Sequence, residues 1–146
     1  MDTRTIAAAM SAAVTLMGCE AHPRPAGTPT DHDGSGSPTA RGGALFETYC
    51  ARCHGRDGRQ RSGAPPLMGE GALPLEPPPT ARLRTAPFRT AADVMAFVRE
   101  NMPADQPGRL KDEDYASIVA FVLVANGVDL AGAEITPSSA PLILLR

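Results

Sequence analysis

The chain has 146 residues, which is enough for one domain. Its net charge of −2 at pH 7 gives no indication of a nucleic acid or an anionic membrane surface bound through bulk charge. The 14 glycines, the 15 prolines and an aromatic content of only 4% leave little material for an apolar core. A chain of this size with a small apolar core normally needs additional stabilisation from a metal, a disulfide or a cofactor.

Residues 1–18 resemble a secretory signal peptide. Arg4 supplies a positive charge, and residues 5–18 are uncharged and mostly small or apolar. This stretch is shorter than the roughly 20 residues that a membrane-spanning helix requires. The segment Leu16-Met17-Gly18-Cys19 resembles a bacterial lipobox, which implies cleavage before Cys19 and attachment of lipid to its sulfur. Ordinary signal cleavage and an uncleaved anchor are the alternatives.

Residues 19–40 are predicted to be a disordered linker, because they are rich in Pro, Gly, Ser, Thr and Asp and show no apolar period. Behind a lipidated residue, such a linker would hold a soluble domain near a membrane in the periplasm. His22 and His32 lie in this linker and are interpreted as solvated side chains rather than ligands.

The next predicted element is a helix over residues 41–54 that ends in Cys50-Ala51-Arg52-Cys53-His54. This is the C-x-x-C-H signature of covalent haem attachment. Because residues three and four apart share a helix face, both thiols can reach one edge of a porphyrin. His54 can then bind the iron as the proximal ligand.

Three other interpretations of the cysteine pair are a disulfide, a thioredoxin-like redox site and half a zinc site. A thioredoxin motif should lie near a βαβ pattern, and no β-rich run is visible. A zinc site needs four ligands. The further candidates Cys19, His22 and His32 all belong to the predicted signal and linker.

Residues 55–89 form a long predicted loop, rich in glycine and proline, that would wrap one edge of a haem. Within it, the proline pair that begins at Pro65 can place a carbonyl against the imidazole Nδ1–H of His54 and so fix its orientation. A stiff turn with no such contact is the alternative.

Two more helices are predicted at residues 90–101 and 111–126. Thr90 is a plausible N-cap that forms a capping box with Asp93. The last helix has an apolar stripe, acidic residues in its first turn and the pair Asn126-Gly127 as its C-cap. Residues 131–146 are predicted to be a tail that either packs back or is disordered.

The function depends on whether a second residue binds the iron opposite His54. A filled position indicates electron transfer, whereas an open one permits ligand binding or peroxidase chemistry. Outside the signal peptide, the candidates are Met68, Met95 and Met102. Met102 directly follows the predicted helix at residues 90–101 and lies 48 residues after His54. This length of chain is enough to reach the opposite face of the iron. Met68 is the second choice, Met95 is interpreted as packing, and a purely structural Met102 is the alternative.

At this point residues 41–128 resemble class I cytochromes c. The residues that carry the resemblance are Gly42, Phe46, the 50–54 motif, Ala64–Leu67, Asn101–Pro103, Tyr115, Ile118 and Phe121. The resemblance implies an all-α fold in which three to four helices, within residues 41–130, wrap one covalently bound haem c. It also implies one-electron transfer, His54 and Met102 as iron ligands, and Pro65 as the orienting carbonyl. The chain departs from the family at Lys111, where a Ser or Thr N-cap is common, and at Phe121, which lacks a hydroxyl.

Charge is unevenly distributed along the chain. Seven arginines against three acidic residues give residues 52–89 a net charge of +4, whereas residues 100–134 have a net charge of −5. We therefore expect a basic haem rim that steers an acidic redox partner.

The predicted function is a periplasmic electron carrier, anchored through lipidated Cys19 or soluble after signal cleavage, with no nucleic-acid partner. The alternatives are a dedicated cytochrome c subunit of a periplasmic dehydrogenase or oxidase, a haem peroxidase, and a non-haem thiol or zinc protein. Met102 as a ligand argues against the peroxidase, since it would fill the open site.

Overall fold

The structure is a computed structural model that describes residues 37–59 and 63–146. The predicted signal peptide and most of the predicted linker, including Cys19, lie outside these residues. The described helices are α1 (Pro38–Tyr49), α2 (Ala51–His54), α3 (Ala91–Asn101), α4 (Asp112–Ala125) and a 3-10 helix at Ala140–Leu142. The described β structure is one isolated antiparallel bridge, between Thr90 and Leu144. The prediction of an all-α fold with three to four helices is confirmed.

Helix α1 begins three residues earlier than predicted. The hydroxyl of Ser37 accepts a hydrogen bond from the N–H of Ala40 at 3.3 Å, which makes Ser37 the N-cap. Pro38 occupies the first turn, where a missing N–H costs nothing and the fixed φ suits a helix. The Ser-Pro pair that we interpreted as linker is therefore the start of the helix.

The two helices α1 and α4 cross in close contact. A Cβ atom on Gly42 would lie only 1.9 Å from the carbonyl oxygen of Ser117, so the backbones meet where only glycine fits. Next to this crossing, the rings of Phe46 and Phe121 lie 5.6 Å apart between centroids. Phe46 also shares a buried apolar cluster with Ile118. The expected contact of Ile118 and Phe121 with the first helix is confirmed.

Helix α4 is the central element of the described domain. Its buried side chains face both α1 and α3, and are Tyr115, Ser117, Ile118, Val119, Ala120, Val122 and Leu123. Lys111 is its N-cap residue and makes no side-chain capping bond, so the three acidic residues of the first turn stabilise this end through the helix dipole. None of the helices in the described ranges is long and apolar enough to cross a bilayer.

Helix α3 begins with the predicted capping box. The Thr90 hydroxyl accepts from the N–H of Asp93, and the Asp93 carboxylate accepts from the N–H and hydroxyl of Thr90 and from the N–H of Arg89. These hydrogen bonds, above all the one from the Arg89 backbone, lower the pKa of Asp93.

We expect Asp93→Asn to lower the free energy of unfolding by about 1 kcal/mol at pH 7, as the loss of a helix cap does. Because the folded-state pKa of Asp93 is lowered, its stabilisation is present above the ordinary carboxyl pKa of about 3.9 and is lost as the pH falls through the folded value. The measurement is urea denaturation between pH 7 and pH 3. Glu100→Gln, on the exposed face of α3, is the control and should leave the midpoint unchanged. Equal midpoints for the two variants would contradict the prediction.

The segment after α4 packs back onto the domain. Of the two possibilities for residues 131–146, a packed tail and a disordered one, the structure shows the packed tail. Leu130, Ile135 and Ala140 are buried in one cluster with residues of α3 and α4. The carbonyl of Ile143 accepts from the N–H of Ala91 at 2.9 Å. The tail is therefore part of the same core as α3 and α4.

A buried arginine organises the later part of the loop between α2 and α3. The Arg84 guanidinium donates to the carbonyls of Pro74 at 2.7 Å and Glu76 at 2.6 Å, and lies 4.1 Å from the centre of the Phe88 ring. Burial lowers the pKa of Arg84. One cation thus holds together a segment that has no helix or strand of its own.

Candidate functional site

The C-x-x-C-H residues form one tight turn of helix after α1. Cys50 joins α1 to α2, and its carbonyl accepts hydrogen bonds from the N–H groups of Cys53 at 3.1 Å and His54 at 3.0 Å. Cys50 is half-buried, Cys53 is exposed and His54 is only 6% exposed. The three side chains are therefore held on one short helical segment, with the imidazole inside the protein.

Both cysteines are free thiols in this structure. Burial, and to a smaller extent the charge on Cys53, raise the pKa of Cys50 to about 11. A reactive redox cysteine has a lowered pKa, so the environment of Cys50 does not favour a thioredoxin-like site. The described ranges also contain no cluster of three or more His, Cys, Asp or Glu side chains that could hold a metal ion such as zinc.

The orientation of His54 is set by the loop that follows it. The Nδ1 atom of His54 lies 2.9 Å from the carbonyl oxygen of Pro65, which is the contact expected from the proline pair. A carbonyl oxygen only accepts, so Nδ1 is the donor, and in the neutral imidazole Nε2 then keeps its lone pair. The structure thereby presents Nε2 as the nitrogen available to a metal.

The segment that contributes the Pro65 carbonyl is itself fixed on two sides. The carbonyl of Gly58 accepts from the N–H groups of Leu67 at 2.7 Å and Met68 at 3.1 Å. From α4, the Asn126 side-chain amide donates to the Leu67 carbonyl at 2.7 Å. Sequence reasoning interpreted Asn126 only as a helix cap and missed this contact, for which the residue type gives no signal.

Met102 lies at the C-terminal end of α3 with an extended backbone, and its side chain is half-buried. Its N–H donates to the Val98 carbonyl at 2.8 Å, and its carbonyl accepts from the hydroxyl of Tyr115 at 2.7 Å. Sequence reasoning included Tyr115 in the apolar stripe of the last helix and did not predict this hydrogen bond. The backbone of Met102 is therefore held by α3 and α4 together.

The other two candidate methionines have packing roles in the described residues. Met68 belongs to the apolar cluster around Phe46, and a Cβ atom on Gly58 would lie 2.7 Å from its Cγ. Met95 packs against the second cluster, which contains Val94. Met102 belongs to neither cluster, so its thioether is the one not already used by the core.

These residues fit a haem of the c type. The cluster beside the cysteines provides an apolar wall, made of Phe46, Ile118 and Val122 with Leu45, Cys50, Ala51, Leu67, Met68, Leu73, Leu110 and Phe121 around them. Two free thiols, an imidazole with an available Nε2 and a thioether outside the core clusters are the donor set that haem c requires.

The surface around the exposed Cys53 is less basic than the net charge of residues 52–89 suggests. Arg52 pairs with Asp105 at 2.8 Å and Arg56 pairs with Glu47 at 3.3 Å, so acids from outside the 52–89 loop compensate part of its charge. The paired arginines stay 73% and 86% exposed. Arg59 is also exposed.

Comparison with known proteins agrees with this geometry. A family model described as cytochrome c oxidase, cbb3-type, subunit III matches residues 37–122, which is more than half of the chain. Among solved structures, the chain is similar to one in the sulfane dehydrogenase SoxCD from Paracoccus pantotrophus, at 27% identity and a TM-score of 0.56. That match covers 73% of this chain and 52% of the other, so this chain spans about half the length of its structural relative. The search of curated proteins gave no match. The chain therefore belongs to the family described as cytochrome c oxidase, cbb3-type, subunit III, and is a class I c-type cytochrome.

Proposed function

We propose that this protein carries single electrons through one haem c attached to Cys50 and Cys53, with His54 and Met102 as the two iron ligands. The observation that carries the proposal is the hydrogen bond between His54 Nδ1 and the Pro65 carbonyl, since it fixes the ring and leaves Nε2 as the ligand. The bound haem would supply a reversible one-electron couple.

The surrounding residues suit electron transfer better than catalysis at an open iron. The burial of His54 limits the access of water to its imidazole. A thioether from Met102 would fill the second axial position and favour the reduced state. A haem peroxidase needs that position open, so it is the weaker interpretation.

The decisive experiment is an absorption spectrum of the mature protein before and after denaturation. A covalently attached haem should stay with the polypeptide on a denaturing gel, and the Cys50→Ser/Cys53→Ser double variant should lose it. Cys19→Ser is the matched control, because it removes the one cysteine outside the motif and should leave the haem attached. A colourless wild-type protein from cells able to attach haem would overturn the proposal.

We also propose a periplasmic location with a lipid anchor on Cys19, supported by the lipobox-like segment that ends there. The mass of the mature N-terminus tests this directly. A diacylated Cys19 supports the anchor, whereas an unmodified N-terminus created by signal cleavage would indicate a soluble periplasmic protein.

The arginines near Cys53 should guide an acidic redox partner, even though two of them are paired, because exposed ion pairs are weak and screened. We expect oxidation by anionic hexacyanoferrate(III) to slow as the salt concentration rises. Arg56→Gln/Arg59→Gln should reduce the low-salt rate several-fold, since local potential raises association rates by tenfold or more. Arg146→Gln, on the C-terminal tail, is the control. A rate that does not depend on salt would remove this docking surface.

A second candidate function is that of a dedicated subunit in a dehydrogenase complex, and the similarity to a chain of SoxCD favours it. Purification from the native membrane in mild detergent should then yield a stoichiometric complex with a larger dehydrogenase subunit. Reduction of the haem by the substrate of that subunit would support the complex. A monomer that exchanges electrons freely with several proteins would support the carrier.

A further inference from the structure

One face of α4 contacts two segments, the one that contains Met102 and the one that orients His54. Asn126 follows Tyr115 by eleven residues, which is about three turns of helix, so the two side chains point to the same side. Ile118 and Val122 lie between them on this face and pack in the cluster that contains Cys50. A face with a polar residue at each end and apolar residues in the middle therefore lies against the site.

At one end of this face, Tyr115 holds the Met102 segment. Tyr115 is only 1% exposed, and a buried phenol needs a partner for its hydroxyl. That partner is the Met102 carbonyl at 2.7 Å, while the Met102 N–H is bound to Val98 at 2.8 Å. Both polar backbone groups of the proposed ligand are thus fixed, each by a different helix.

At the other end, Asn126 holds the segment that orients His54. Its amide donates to the Leu67 carbonyl at 2.7 Å, and its side-chain oxygen accepts from the Gly69 N–H at 3.3 Å. Pro65, two residues before Leu67, contributes the carbonyl that binds His54 Nδ1. Because Leu67 is held at both its N–H and its carbonyl, the Pro65 carbonyl has little freedom to move.

We propose that Tyr115 and Asn126 are positioning residues, through which α4 fixes the two axial-ligand segments relative to each other. The proposal rests on the proposed function, in which His54 and Met102 are the iron ligands. Tyr115 acts on Met102 through its carbonyl, and Asn126 acts on His54 through the 65–69 segment. Loss of the Tyr115 contact should weaken the binding of Met102 to the iron, and loss of the Asn126 contact should weaken the binding of His54. In each case the other segment should stay in place.

The test uses the haem-loaded mature protein and the variants Tyr115→Phe and Asn126→Ala. Tyr115→Phe should speed the displacement of the sixth ligand by cyanide in the ferric protein by about tenfold, because a buried carbonyl loses its partner. It should also speed amide exchange at Met102. Asn126→Ala should speed amide exchange at Leu67 and Met68 by at least about fivefold. It should also raise the reduction potential, since a weaker hydrogen bond from His54 Nδ1–H to the Pro65 carbonyl makes the imidazole a poorer electron donor to the iron.

Ser117→Ala is the matched control, because Ser117 is buried in the same helix and its hydroxyl donates to the Glu113 carbonyl within α4 itself. Asn126 also donates to the Val122 carbonyl of its own helix, so the control accounts for the loss of such a local bond. Exchange rates for the two test variants within twofold of the wild type, or an equal change in Ser117→Ala, would overturn the proposal.

Failure of the proposed function gives a different result. If Met102 is not a ligand, cyanide binding will not depend on Tyr115, and Met102→Ala will keep the wild-type spectrum. The amide-exchange rates at Met102, Leu67 and Met68 still decide whether α4 holds the two segments, since they report hydrogen bonds of the polypeptide alone.

Discussion

Gly42→Ala is expected to lower the free energy of unfolding by about 3 kcal/mol, the upper part of the range for overpacked cores. The new Cβ atom would lie 1.9 Å from the carbonyl oxygen of Ser117 and 2.6 Å from its carbonyl carbon. Both atoms belong to the backbone of α4, so no side chain can turn away to relieve the clash. The two helices must separate, which also disturbs the contact between Phe46 and Phe121.

The measurement is urea denaturation of the haem-loaded protein, with Gly43→Ala as the control. A Cβ atom on Gly43 would lie 3.3 Å from a ring carbon of Phe121, and that side chain can shift slightly. Alanine is also favoured over glycine in a helix by up to about 1 kcal/mol, which offsets the small crowding. Gly43→Ala should therefore be nearly neutral, and similar midpoints for the two variants would contradict the close approach of α1 and α4.

The local features of this fold could be predicted from the sequence because they depend on neighbouring residues. The capping box of Thr90 and Asp93 places the start of α3 within one residue of the prediction, since both partners lie in the same turn. The start of α1 was predicted too late for a related reason. Ser37 and Pro38 are a good local helix start, but the composition of the residues before them favoured a linker.

The contacts that complete the site could not be predicted, because they join residues far apart in the chain. Asn126 and Leu67 are 59 residues apart, and the C-cap role of Asn126 already explains its type. The prediction of a basic rim was limited for the same reason. Counting charges along residues 52–89 could not reveal that Arg52 meets Asp105 from beyond α3.

The C-x-x-C-H spacing predicted that the two thiols and the imidazole share one helical turn, and the structure places them there. The Pro65 carbonyl was predicted from a stiff proline pair close behind the histidine, and the structure places it 2.9 Å from Nδ1. The role of Met102 as a ligand stays a prediction. It rests on elimination among three methionines and on the family resemblance.

Met102→Ala is expected to lower the reduction potential by about 0.1 V or more, a modest part of the roughly 0.8 V that axial ligation controls. The thioether of methionine favours the reduced iron, and alanine offers no donor in its place. The ferrous variant should bind carbon monoxide readily, whereas the wild type should bind it slowly or weakly. Redox titration and carbon monoxide difference spectra measure the two effects.

Met68→Ala is the control that separates ligation from packing. Met68 lies in the apolar cluster beside Phe46, so its removal should cost about 2 kcal/mol of unfolding free energy. The Met68→Ala variant should keep the reduction potential of the wild type and its weak binding of carbon monoxide, since the Met102 thioether is unchanged. The opposite pattern would assign the iron to Met68, on the loop that orients His54. If both variants kept the wild-type potential, neither Met102 nor Met68 would be the iron ligand, and the amide-exchange rates would still test whether α4 holds the two segments.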